Sequence, residues 1–199
     1  MSSATRSNVP RFTPEQYLAL ERKAEFKSEF DNGFIEAMSG ASREHNLITV
    51  NVTRSIATQF ENRRCEVYAA DMRVWVGFAK QYRYPDVTAV CGTPEFQDSE
   101  FDTLLNPTLI VEVLSPSTES KDRNRKFAAY RRLESLREYV LISQSEVLVE
   151  RYTRDGENWV YTALDSLEDT LHLVSIDCAV PLKEIYAKVQ FPVTGENAD

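Results

Sequence analysis

Residues 106–142, NPTLIVEVLSPSTESKDRNRKFAAYRRLESLREYVLI, decide the fold. The stretch from Leu109 to Leu114 is a dense aliphatic run broken only by Glu112, which reads as a strand covered on both faces. Ser115-Pro116-Ser117 ends it, and Lys121 to Ser135 follows as a predicted helix with Phe127, Tyr130 and Leu133 at core spacing. Glu138 to Ile142 resumes β structure. Strand, helix, strand at this spacing implies a parallel pair at the centre of a sheet. An ionised carboxylate inside such a strand is costly unless something pairs with it, so Glu112 requires a partner.

A second strand upstream poses the same problem. Tyr84-Pro85-Asp86-Val87-Thr88-Ala89-Val90 places one acid among apolar strand formers. If the two strands are neighbours, Asp86 and Glu112 converge, and two such carboxylates are stable only with a proton, a cation or a metal between them. Mg²⁺ prefers few protein carboxylates, several waters and phosphate oxygens, which is the composition of a phosphodiester-cleaving site. Asp122 and Lys126 lie on one face of the predicted helix, beside core-facing Phe127. Lys126 then points back toward the sheet, where it would orient or deprotonate a water and offset transition-state charge.

The remaining elements complete an α/β fold, a mixed β-sheet flanked by helices. Thr13-Pro14-Glu15-Gln16 has capping-box chemistry and opens a short helix ending near Lys23. Asp31-Asn32-Gly33 joins Phe26–Phe30 to Phe34–Met38 in a hairpin, with Glu29 on its first arm. Ser42 to Asn62 lacks Gly and Pro and carries apolar residues at helical spacing. Glu66 to Val90 reads as two or three strands with a turn at Gly77, and Cys91 to Asn106 as an exposed acidic loop. A hairpin around Asp155-Gly156-Glu157 extends one sheet edge, and Pro181 to Val189 reads as a terminal helix. A single domain over 10–189 is expected, with a disordered tail over 1–9 and another over 190–199.

Composition narrows the function. With 42% hydrophobic and 27% charged residues, the 199-residue chain is an ordinary globular protein. It has neither a signal-peptide core nor a membrane-length apolar run, so a cytoplasmic location and no membrane partner are expected. Cys65, Cys91 and Cys178 form no CxxC pair and read as reduced core cysteines, while His45 and His172 are too far apart for a structural zinc site. The net charge of −8 argues against coating nucleic acid through net charge, although a local basic face can coexist with it. Lys121, Arg123, Arg125, Lys126, Arg131, Arg132 and Arg137 form the most basic segment; Arg54, Arg63 and Arg64 form a thinner group. Neither a G-x-S-x-G elbow nor a Gly-rich phosphate loop is present.

Taken in order, Glu29-Phe30-Asp31-Asn32-Gly33, His45, Asp71, Tyr84-Pro85-Asp86-Val87, Val111-Glu112-Val113-Leu114-Ser115, Asp122, Lys126, Tyr130 and Glu138-Tyr139 resemble the Uma family. These are restriction-endonuclease-like domains of the PD-(D/E)xK superfamily, and the resemblance runs from about Pro10 to Val189. It implies that Asp86 and Glu112 ligate Mg²⁺ or Mn²⁺ with the Val113 carbonyl, and that Glu29 is an accessory acid. The superfamily's lysine position is Leu114 here, and Lys126 from the next helix would replace it. The implied activity is metal-dependent endonucleolytic cleavage of DNA, with a homodimer by analogy to enzymes that cut two strands. The alternative is a catalytically weak or inactive nucleic-acid- or protein-binding module on the same fold.

Plainer roles exist for each residue. Glu112 would pair with Lys126, and Asp86 with Arg83 or Arg73, in a purely structural network. Lys126 would be a solvated helix lysine, Glu29 an exposed strand residue, His45 a helix-start or core histidine, and Asp71 a turn residue.

Overall fold

The structure is a computed structural model that describes residues 10–116 and 118–191. The expected tail over 1–9 lies outside the described residues, as do Ser117 and residues 192–199 of the expected C-terminal tail. The order of elements begins with α1 (Pro14–Glu21), the hairpin β1 (Ser28–Asp31) and β2 (Phe34–Ala37), and α2 (Arg43–Gln59). Thr13 caps α1 in the reciprocal box with Gln16. Asn32 and Gly33 turn the hairpin with φ of 44° and 102°, the left-handed pair that a two-residue turn requires.

The region expected to hold two or three strands holds four: β3 (Cys65–Ala69), β4 (Arg73–Val76), β5 (Gln81–Arg83) and β6 (Val87–Cys91). They divide between two sheets, a partition that local patterning does not encode. The expected acidic loop contains a short buried strand, β7 (Thr103–Leu104), paired in parallel with β4. Next come β8 (Leu109–Leu114) and β9 (Glu138–Ser143), parallel as expected. The helix between them is shorter than predicted: a π-helical turn (Lys121–Lys126) runs into α3 (Phe127–Tyr130). The hairpin β10 (Val149–Asp155) and β11 (Asn158–Leu164) is followed by β12 (Thr170–Leu173) and β13 (Cys178–Pro181), which the sequence reading left out. The expected terminal helix is the single turn α4 (Leu182–Ile185).

The central sheet has the order β11-β10-β9-β8-β6-β3, so the parallel β8–β9 pair is at its middle. A second sheet, β2-β1-β5-β4-β7, and a β12–β13 ribbon pack around it. Alternation along β8 sends Leu109, Val111 and Val113 to the core beneath α2 and the ribbon. Ile110 and Leu114 go to the opposite core with Tyr130, Tyr139 and Val74. Each large aliphatic buried this way contributes roughly 1.5–3 kcal/mol. A third cluster of Tyr17, Leu18, Phe30 and Tyr82 seats α1 on the second sheet.

One expectation about the cysteines is overturned. Cys65 and Cys91 face each other across the antiparallel β3–β6 register and form a disulfide, while Cys178 is free and buried. Their separation of 26 residues hid the pairing, because only the strand register brings them together. No described helix is long and apolar enough to cross a membrane.

Candidate active site

The register that pairs Val87 with Val111 and Ala89 with Leu109, carried one step further, sets Asp86 opposite Glu112. Glu112 shares its face of β8 with Ile110 and Leu114, and α3 and the π-helical turn cover that face. Glu112 is only 3% exposed. Lys126 Nζ lies 3.0 Å from Glu112 Oε1, and the Tyr130 hydroxyl donates to the same oxygen at 3.1 Å. Lys126 also reaches Asp122 at 2.9 Å and Glu29 Oε1 at 3.7 Å. The sheet thus places Glu112, Lys126, Asp122 and Glu29 in one buried cluster, and the solvated-lysine reading of Lys126 does not hold.

Asp86 is secured separately. Val113 N–H donates to its Oδ2 at 2.7 Å, and His45 Nε2 lies 3.2 Å from the same oxygen. The alternatives of Arg83 and Arg73 as partners of Asp86 are not realised. Arg83 instead pairs with Glu29 at 2.7 Å and Asp31 at 2.8 Å, and Arg73 pairs with Asp102. On each of the two acids, then, one hydrogen bond and one ion-pair contact converge on the same oxygen, which leaves Glu112 Oε2 and Asp86 Oδ1 out of those contacts.

Electrostatics separate the roles further. Burial pushes the Glu112 carboxyl well above the usual carboxylate range, and Asp122, Asp86 and Glu29 add to the rise against the pull of Lys126. Burial acts on Glu29 in the same direction, but Lys126, Arg83 and Lys121 together bring it down to about 2. For Lys126, desolvation is overcome by Glu112, Glu29 and Asp122, so its ammonium is held above the ordinary lysine value. Glu29 is served by Arg83 and Lys121 as well as Lys126, whereas the ion pairs of buried Glu112 and Asp122 are with Lys126 alone among the described residues.

The donor set suits a hard divalent cation, since both opposed acids offer oxygen. Glu29 Oε1 is also buried without a hydrogen-bond partner among the described residues. Among those residues no group of three or more His, Cys, Asp or Glu is arranged as a metal cage.

The π-helical turn delivers the lysine. Asp122 and Lys126 are both buried in it, and Tyr139 donates to the Asp122 carbonyl at 3.0 Å. Its remaining basic residues are partly spent: Lys121 pairs with Glu29 at 3.0 Å and Glu36 at 2.8 Å, and Arg123 with Glu119 and Glu150. Arg125, Arg131, Arg132 and Arg137 stay exposed. In the thinner basic group Arg63 is tied to the carbonyls of Ile176 and Asp177. Asp71 lies in the turn before β4 with an exposed side chain paired to Lys27. Sequence reasoning gave His45 no task and missed Arg83 as the partner of Glu29. The signal for Arg83 was a charged residue in a strand with no exposed face.

The mixed sheet with its flanking helices is a nuclease-like α/β fold. It aligns with a crystal structure from Anabaena variabilis, described as a putative nuclease belonging to DUF820, with a TM-score of 0.75. That alignment covers 90% of this chain and 99% of the other at 16% identity, so it speaks to fold alone. The profile of the Uma2 family, described as "Putative restriction endonuclease", matches residues 14–179, and the chain belongs to that family. Two Synechocystis sp. PCC 6803 proteins described as uncharacterized are similar in sequence. One, sll1609, is 40% identical over 76% of this chain and 86% of its own length. The other, slr1290, is 33% identical over 92% and 95% respectively.

Proposed function

We propose that the protein is a divalent-metal-dependent endonuclease that cleaves DNA phosphodiester bonds. The observation that carries this reading is Lys126 Nζ at 3.0 Å from Glu112, which supplies from the following helix the basic group that Leu114 does not. Asp86, Glu112 and the Val113 carbonyl would hold Mg²⁺ or Mn²⁺. The cation, when bound, would polarise a phosphoryl oxygen and acidify a bound water. Lys126, kept as an ammonium by its three carboxylates, offsets charge developing on the phosphorane-like transition state and orients the water rather than deprotonating it. Glu29, gripped by Arg83 and Lys121, sets the floor against which Lys126 is placed. Arg125, Arg131, Arg132 and Arg137 are the residues available to DNA phosphates.

The near-complete burial of Glu112 and Lys126 favours a second reading, a binding module with an acidic pocket and slow or no turnover. Nicking of supercoiled DNA separates the two. The purified protein should nick it with Mg²⁺ or Mn²⁺, and Glu112→Ala should reduce nicking to background. Activity that survives this substitution would overturn the assignment of Glu112, and a wild type inert with either metal would leave the binding reading.

A further inference from the structure

His45 stands at the first turn of α2, where the Ser42 hydroxyl accepts its backbone N–H at 3.0 Å and the Thr49 hydroxyl donates to its carbonyl at 2.9 Å. The helix packs on the face of the central sheet away from Lys126, against Val87, Val111 and Val113. Asp86 immediately precedes β6, so it lies at the end of the strand rather than between the layers, and the first turn of α2 reaches it there. The side chains of His45 and Asp86 are 15% and 16% exposed, so the pair is largely shielded from water. Helix geometry and hydrogen bonding fix where His45 starts, and the strand end fixes where Asp86 starts.

We propose that His45 is a positioning residue that orients Asp86, an inference that rests on reading Asp86 and Glu112 as the cation ligands. The imidazole Nε2 lies 3.2 Å from Oδ2, the oxygen that already accepts from Val113 N–H, so a proton on Nε2 would face that oxygen. A backbone amide bond and a close side-chain contact from another layer together fix the carboxylate plane and present Oδ1 to the cation. Glu112 has the same arrangement, with Lys126 and Tyr130 both on Oε1. In this reading His45 stands to Asp86 as Lys126 stands to Glu112, a close side-chain contact beside a hydrogen bond on the same oxygen. A carboxylate ligand held this way loses less freedom when it binds, and outer partners of this kind are commonly worth about 10–100-fold in metal affinity.

The test is Mn²⁺ binding by calorimetry to wild type, Asp86→Asn, His45→Asn and His45→Gln, with thermal melting of each metal-free protein. The Gln amide reaches the place of Nε2, whereas the shorter Asn amide does not. Expected are about tenfold weaker Mn²⁺ binding for His45→Asn and near-wild-type binding for His45→Gln, with both proteins melting alike. Equal affinities in wild type and both His45 variants would overturn the inference while leaving the metal site intact. Equal weakening in both would overturn it too, because it would mean that the imidazole does something an Nε2 donor cannot. A wild type that binds no Mn²⁺, or an Asp86→Asn that binds as tightly as wild type, would refute the metal reading itself and His45's role with it.

Discussion

The protein contains two clusters of charge, one largely at the surface and one buried, and they are built differently. Beneath α1, Arg22 and Arg73 meet Asp98 and Asp102, two guanidiniums for two carboxylates, with Arg22 bonding Asp102 through Nε at 2.8 Å. Beside the π-helical turn, Lys126 alone among the described residues pairs with Glu112 and Asp122, while Glu29 also has Arg83 and Lys121. The directions of titration reflect this. Hydrogen bonds from Arg22 hold the Asp102 carboxyl well below the usual range, whereas burial and neighbouring acids hold Glu112 well above it. The first cluster satisfies itself and ties the N-terminal layer down. The second, on the reading proposed above, takes up a cation.

The largest test of this contrast removes a cation from each. Lys126→Met should destabilise the fold by about 3–5 kcal/mol, since it leaves buried Glu112 and Asp122 without their cation, and Arg73→Met by less, since the partly exposed Asp102 keeps Arg22. Millimolar Mn²⁺ should restore part of the loss in Lys126→Met and none in Arg73→Met, read by urea denaturation with and without the ion. Equal responses would erase the distinction.

A smaller test removes an acid from each. Glu112→Gln should leave stability within about 1 kcal/mol of wild type or raise it, while Asp102→Asn should lower it by about 2 kcal/mol. A clearly larger loss for Asp102→Asn than for Glu112→Gln at neutral pH is the result that supports the comparison.

The smallest effect is on acid sensitivity. Asp102 has a folded pKa depressed below its unfolded value, so its contribution is complete above the unfolded value of about 3.9 and is lost as pH falls through the folded one. Denaturation midpoints should therefore fall less steeply below about pH 4 in Arg22→Gln than in wild type. Identical slopes would remove Asp102 from the account.

Local chemistry made much of this legible. The Thr13 capping box, the Asn32-Gly33 turn and the strand alternation around Glu112 are each written within a few residues, and each led to the element the structure has. The parallel pair of β8 and β9 followed from the length of the connection. Long-range register is what stayed hidden. The split of β3 to β6 between two sheets, the facing of Cys65 and Cys91, and the reach of His45 around the end of β6 depend on which strand lies beside which. Residues such as Arg83 looked like free partners for Asp86 because sequence proximity is not spatial proximity. Lys126 was legible as an inward-facing residue from its spacing to Asp122, but the π-helical geometry that carries it was not, since no residue type specifies an extra residue in a turn.

That turn has a consequence for how the chain tolerates change in length. Each residue of an α-helix advances the side-chain direction by about 100°, so a turn holding one more residue shifts the phase of everything after it. Deleting exposed Asn124 would remove no contact to any of the acids, yet it would bring Asp122 and Lys126 one position closer and rotate the ammonium off Glu112. The segment works as a phase spacer: its residue count, more than the identity of its exposed side chains, aims Lys126.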